Sequence, residues 1–190
     1  MSHFTLLKSY EYNFENELNR LIKNKTIKWK NNNQICITTI PGKENDYLFG
    51  NGSLDLDYDK EYKDENGNVI VPKRDEPLKE KDFTIVCDQF KNTVFEQVYN
   101  ELSSKYILGR VRLIMLQPKT CFSWHKDYND RLHIPIITRE GCFMIIEKQI
   151  EHLEVNNLYF TETTKHHTAI NGSFYPRVHF VACIIEKNNE

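Results

Sequence analysis

The sequence predicts a mainly β fold, a jelly roll with two helices packed outside one sheet, and three observations carry that reading. From residue 107 onward short apolar runs recur at roughly 107–117, 120–125, 131–138, 141–147, 154–160, 166–170 and 176–186. Turn formers stand near the breaks: Pro118, Asn129, Gly141, Asn156 and Gly172. Ahead of them lie two stretches with apolar residues at three- and four-residue steps, the helical spacing. Seven or eight antiparallel strands bury one face each by closing two sheets on one another.

In chain order, Leu7, Tyr10, Phe14, Leu18, Leu21 and Ile22 predict an amphipathic helix over 6–22. The run KNKTIKWK (23–30) gathers four lysines around Trp29 and reads as a solvated helix end. A nucleic-acid contact is the competing reading, since stacking and phosphate pairing use the same residue types. QICITTI (34–40) reads as a strand and PGKEND after it as a turn. The acidic stretch 55–76 is a surface excursion, with Asn66-Gly67-Asn68 as a hairpin turn. Asp55, Asp57 and Asp59 do not make a calcium loop, because Lys60 and Asn66 stand where that loop needs glycine and glutamate. FTIVC (83–87) is a strand, and Phe90, Val94, Val98 and Leu102 predict a second helix with Thr93-x-x-Glu96 as its capping box.

At 190 residues the chain reads as one domain, 1–190, with 1–106 supplying helices and supporting strands and 107–190 the barrel core. A net charge of −2 offers no global field for nucleic acid or an anionic membrane, so both are disfavoured as partners. No run approaches membrane-spanning length. Five cysteines without C-x-x-C spacing fit reduced thiols, and the expectation is a soluble, cytoplasmic protein.

The chemistry is concentrated in His125-Lys126-Asp127, in His167 some forty residues on, and in Arg177 ten beyond that. On a strand, i and i+2 side chains share a face, so His125 and Asp127 point one imidazole and one carboxylate to the same side. Two histidines and one carboxylate leave three octahedral positions open, the ligand pattern of non-haem Fe(II) oxygenases. His166 competes with His167, but adjacent strand residues face opposite ways and only one points inward. Arg131-Leu132-His133-Ile134 and Arg177-Val178-His179-Phe180 repeat one alternation of cation, apolar, imidazole, apolar. Facing inward, such arginines need an anionic partner, and a guanidinium clasps a carboxylate with two parallel hydrogen bonds. His133 and His179 read equally as satisfied core histidines, Arg131 as a surface cation, and Phe122, Trp124 and Tyr128 as core or pocket wall.

The run from Gly109 to Ile184, above all SWHKDYNDRLHIPIIT, NNLYFTETTKHHTAING and RVHFVACII, resembles the aspartyl/asparaginyl β-hydroxylase branch of the Fe(II)- and 2-oxoglutarate-dependent oxygenases. The resemblance implies a cupin-like double-stranded β-helix. It implies His125 and His167 as iron ligands, the latter followed by Asn171, and Arg177 as the group binding the C5 carboxylate of 2-oxoglutarate. Arg131 and His133 match the family's Arg-x-His, which also contacts the cosubstrate. Some members of that branch lack the acidic ligand, whereas Asp127 here restores the full triad. The implied activity is hydroxylation of a peptide side chain or free amino acid, with release of succinate and CO2. The alternatives are a non-oxidative metal-dependent cupin enzyme and a cupin that binds a ligand without catalysis.

Overall fold

The computed structural model describes residues 2–30, 33–52, 54, 62–70 and 78–187. Its strands are β1 (Phe4–Ser9), β2 (Gln34–Cys36), β3 (Thr38–Thr39), β4 (Tyr62–Lys63), β5 (Val69–Ile70), β6 (Ile85–Val86), β7 (Tyr106–Leu116), β8 (Thr120–Cys121), β9 (Arg131–Ile137), β10 (Cys142–Ile146), β11 (Gln149–Glu151), β12 (Asn157–Thr161), β13 (His167–Asn171) and β14 (Arg177–Lys187). Two α-helices accompany them, α1 (Phe14–Lys23) and α2 (Val94–Ser103).

A six-stranded sheet runs β1-β12-β9-β14-β7-β2 and a four-stranded sheet β11-β10-β13-β8. From β7 onward successive strands alternate between the two, apart from the β10–β11 hairpin, which turns through Glu147 at positive φ. That alternation is a double-stranded β-helix, the jelly roll of cupins. Two faces of the larger sheet carry different chemistry. Leu132, Ile134, Ile136, Val178, Phe180, Ala182, Val111 and Leu113 face one way and form the main core with the helices. The residues between them, among them Arg131, His133, Arg177 and His179, face the smaller sheet and line the barrel's interior.

The helices are held mainly by what they bury. Phe14, Leu18 and Leu21 of α1 and Phe95, Val98 and Leu102 of α2 are at most 2% exposed. Each such side chain contributes about 1.5–3 kcal/mol relative to exposure, against about 1 kcal/mol for a cap. Both caps are present: Asn13 Oδ1 accepts from Asn16 N at 2.9 Å, and Thr93 Oγ1 from Glu96 N at 3.4 Å. Glu96 reaches back to Asn92 N rather than to the cap residue itself.

Several expectations are corrected. The helix expected over 6–22 begins only at Phe14, because Phe4–Ser9 forms β1 against β12. The apolar stripe misleads there: Leu6 and Leu7 are exposed, and pairing with the open edge of β12 fixes the backbone instead. QICITTI is broken at Ile37 into β2 and β3, which pair with β7 and β6. The strand expected over 120–125 stops at Cys121. Asn66-Gly67 does turn between two paired strands, β4 and β5, with Gly67 at φ 81°. The Asp55, Asp57 and Asp59 motif lies outside the described residues. Five cysteines are free thiols, and among the described residues no helix is long and apolar enough to cross a membrane.

Candidate metal centre and its anion pocket

His125 lies beyond the end of β8, where a single bridge ties it to the start of β13: His125 N donates to His167 O at 3.1 Å and His167 N to His125 O at 2.8 Å. Asp127 is fixed separately, its N–H donating to Thr163 O at 2.9 Å. The pair therefore converges without sharing a regular strand, which is not the geometry that strand periodicity implies. Side-chain ligand atoms of His125, Asp127 and His167 all lie within 4.8 Å of one another. Asp127 Oδ1 is 3.8 Å from His125 Nε2, and Oδ2 is 3.4 Å from His167 Nε2. Ligands about 2.1 Å from one shared ion at right angles stand roughly 3 Å apart, so small adjustments close the set around a cation.

The imidazoles are oriented for metal. His125 Nδ1 lies 2.7 Å from Ser123 O and His167 Nδ1 3.0 Å from Lys165 O. A carbonyl only accepts, so both Nδ1 atoms carry the proton and both Nε2 atoms keep a lone pair for the ion. Arg131 holds the third ligand, with Nη2 donating to Asp127 Oδ1 at 2.7 Å. Its Nε is also 2.7 Å from Oδ2, an ion-pair contact not aligned as a hydrogen bond. Burial alone would raise the Asp127 carboxyl, but the Arg131 guanidinium and the adjoining His167 imidazole outweigh it and hold it below its ordinary value. It is an anion at neutral pH. His166 points away, stacked on Trp124 with centroids 6.1 Å apart.

Behind the three ligands lies a cavity of about 70 Å³ lined by Arg177, His179, His133 and Arg131, with Ile114, Met144, Ala169 and Val181 as apolar wall. Arg177 is 4% exposed, and among the described residues no carboxylate is within ion-pair reach of it. Burial pulls its pKa down to about 10, which leaves it cationic at neutral pH. Its Nη2 lies 3.3 Å from His179 Nδ1, which in turn lies 3.4 Å from His133 Nδ1. Guanidinium only donates, so His179 Nδ1 accepts and its proton sits on Nε2. The Nε2 atoms of both histidines are buried without a partner. An unpaired buried cation beside an orphaned N–H donor is chemically matched to a carboxylate.

Burial and the neighbouring Arg177 hold His133 and His179 well below the ordinary value of 6.5. Folded protein therefore binds fewer protons than the unfolded chain below pH 6.5, and stability falls as pH drops through that value. Metal-free protein should lose up to about 1.4 kcal/mol per pH unit for each of the two histidines below that point. Urea unfolding at pH 7.5 and 5.5 checks this, and His179→Phe should flatten the dependence.

Asn171 does not join the cavity. It is fully buried, donates from Nδ2 to Leu116 O at 2.9 Å and Tyr175 O at 2.8 Å, and accepts at Oδ1 from Ser173 N, Ser173 Oγ and Cys142 Sγ. Its amide is saturated by the turn into β14, so it shapes the approach to Arg177 and has nothing left for a cosubstrate. Asn171→Ala should cost roughly 2–4 kcal/mol of unfolding free energy, measurable by denaturant titration.

An outer cleft of about 790 Å³ opens beside this cavity, sharing His125, Asp127, Arg131, Phe122 and Ile114 with it. Arg110 and Arg112 of β7 line it. Neither was among the residues the sequence singled out, although Arg110-Val111-Arg112-Leu113 shows the same cation–apolar alternation as the two segments that were.

Three side chains that could hold a metal ion thus stand at one end of a cupin-like double-stranded β-helix, with a buried cation behind them. The chain belongs to the Aspartyl/Asparaginyl beta-hydroxylase family, whose model matches residues 67–186. No curated protein matches it. Among solved structures, similarity is found to a prolyl hydroxylase from Trichoplax adhaerens in complex with a hypoxia inducible factor peptide fragment, at 9% identity and TM-score 0.49, covering 97% of this chain and 84% of that one. AviO1 from Streptomyces viridochromogenes Tue57 gives 10% identity and TM-score 0.46, covering 98% and 91%. A Cupin 2 conserved barrel domain protein from Salinispora arenicola gives 7% and 0.33, covering 38% of this chain, which spans 60% of that one.

Proposed function

We propose that this chain is an Fe(II)- and 2-oxoglutarate-dependent dioxygenase that hydroxylates a peptide side chain or a free amino acid. Three ligand atoms within 4.8 Å, sharing one cavity with a buried arginine that has no carboxylate partner among the described residues, carry this reading. The family's description, which concerns aspartyl and asparaginyl side chains, favours an amino-acid-like substrate. When bound, the iron and the keto acid supply the oxidation, consuming O2 and releasing succinate and CO2.

The protein's own groups do the rest. His125 Nε2, His167 Nε2 and the Asp127 carboxylate hold the cation, and Arg131 keeps that carboxylate ionised and in place. Arg177 binds the far carboxylate of 2-oxoglutarate, with His179 Nε2–H as a second donor. Ile114, Met144, Ala169 and Val181 keep that end of the cavity apolar and exclude competing water. Arg131 and His133 complete its polar wall.

Succinate formation on adding Fe(II), 2-oxoglutarate and ascorbate to the metal-free protein under air is the test, with +16 mass products sought among added amino acids and peptides. Iron binding without succinate would favour a ligand-binding cupin. Turnover of some substrate with Mn(II) or Zn(II) and no need for 2-oxoglutarate would favour a non-oxidative enzyme.

A further inference from the structure

We propose that the outer face of the smaller sheet is a self-association surface, on which a second copy of this chain seats in a two-fold, sheet-on-sheet dimer. The inference stands apart from the oxygenase reading and adds a partner to the fold.

Alternation along the strands fixes what this face carries. Met144 and Ala169 point inward and line the metal cavity, so their neighbours along β10 and β13 point outward. Register extends the row: Phe143 stands opposite Ile170, which stands opposite Cys121, and Ile145 lies between Ile150 and Thr168. None of these outward positions is charged, although Asp, Glu, Lys and Arg make up 27% of the chain. Ile150 is 61% exposed and Phe143 37%, while Ile145 and Ile170 are half-buried. At one end of the face Trp124, 51% exposed, stacks on His166, each one step before an inward-facing metal-binding histidine.

Other parts of the fold are treated differently. The outer face of the larger sheet packs with the helices as the main core. The sheet edges are blunted: β2, β8 and β11 have three residues or fewer, and β1 carries a register shift between Leu6 and Lys8. Short and bulged edges discourage strand addition. A chain that protects its edges yet leaves an uncharged apolar face open is suited to a contact made through side chains rather than backbone.

Chemistry and size select the occupant. A two-fold contact lays the face on itself, so an uncharged face meets no like charge and buries no unpaired one. Sheets stack face to face at about 10 Å with their strands within about 30° of each other. Four strands about 4.8 Å apart, with about five residues at about 3.3 Å each, give a footprint of roughly 300 Å². A standard interface covers about 800 Å² per partner, so the dimer is dissociable rather than obligate. Each metal cavity lies on the opposite face of its sheet and stays open in the dimer.

Sedimentation velocity of the full chain, from low to high micromolar concentration, tests this. Wild type is expected to shift from monomer to dimer across that range. Ile150→Glu should weaken association by at least about tenfold, because each dimer would then bury two carboxylates in an apolar contact. Phe143→Ser, which adds no charge, should weaken it less. Leu7→Glu alters a comparably exposed apolar residue on β1 and should leave association unchanged. Melting temperature reports the folding of each variant, and the wild-type concentration series decides even where a variant does not fold. Wild type that stays monomeric throughout overturns the proposal, and flotation with neutral phosphatidylcholine vesicles then separates a lipid surface from another protein as the occupant. Association that persists unchanged in Ile150→Glu, or that is lost in Leu7→Glu, places the contact elsewhere and overturns it equally.

Discussion

Asp127→Ala is expected to lose Fe(II) at stoichiometric concentrations and to lower turnover by more than about 100-fold. The carboxylate is one of three groups whose ligand atoms converge, and it faces both imidazoles at 3.8 and 3.4 Å. It is also the partner of Arg131, so truncation strands a part-buried guanidinium beside two imidazoles. Both effects weaken cation binding, one by deleting a ligand and the other by leaving a repelling charge. Outer partners of metal ligands typically account for 10–100-fold in affinity or activity, so Arg131→Gln should fall in that smaller range. The ordering of the two variants is the informative result. Asp127→Asn separates charge from shape, since it keeps the side chain's volume but offers a neutral oxygen.

Metal analysis after gel filtration and an initial-rate assay for succinate check this. An Asp127→Ala protein with full iron and full turnover would make the centre a two-histidine site, with the aspartate serving only as the counter-ion of Arg131.

Much of the β half was readable because its strands are short, apolar and separated by residues that cannot continue them. The alternation in RLHI and RVHF correctly places Arg131, His133, Arg177 and His179 on one interior face. What could not be read has local causes. Leu7 and Tyr10 imitate a helical stripe, but the open edge of β12 and the turn before it capture the backbone there, a long-range effect with no sequence signal. Strand periodicity predicts a shared face for His125 and Asp127, whereas each is fixed by its own backbone hydrogen bond to a different segment. Asn171 looks functional because it follows His167 at a set spacing, yet its amide is consumed by a turn that spacing cannot show.

Arg177→Met is expected to lose 2-oxoglutarate affinity by roughly 30- to 1000-fold, equivalent to about 2–4 kcal/mol, while making the metal-free, ligand-free protein more stable by about 1–3 kcal/mol. The two halves have one cause. The guanidinium is 4% exposed, and its polar contact among the described residues is a 3.3 Å approach to a neutral imidazole. Its desolvation is therefore uncompensated, and an isosteric thioether that fills the same space removes the cost without opening a void. With the keto acid bound, the same guanidinium gains a carboxylate in a dry site where charge-assisted hydrogen bonds are strong. Arg177→Lys keeps the charge but not the fork and should lie between. Calorimetric titration of 2-oxoglutarate into the Fe(II) protein under anaerobic conditions, beside urea unfolding of the metal-free form, reads both quantities from the same preparations. A purely structural arginine would give the opposite pattern, with stability falling and affinity unchanged.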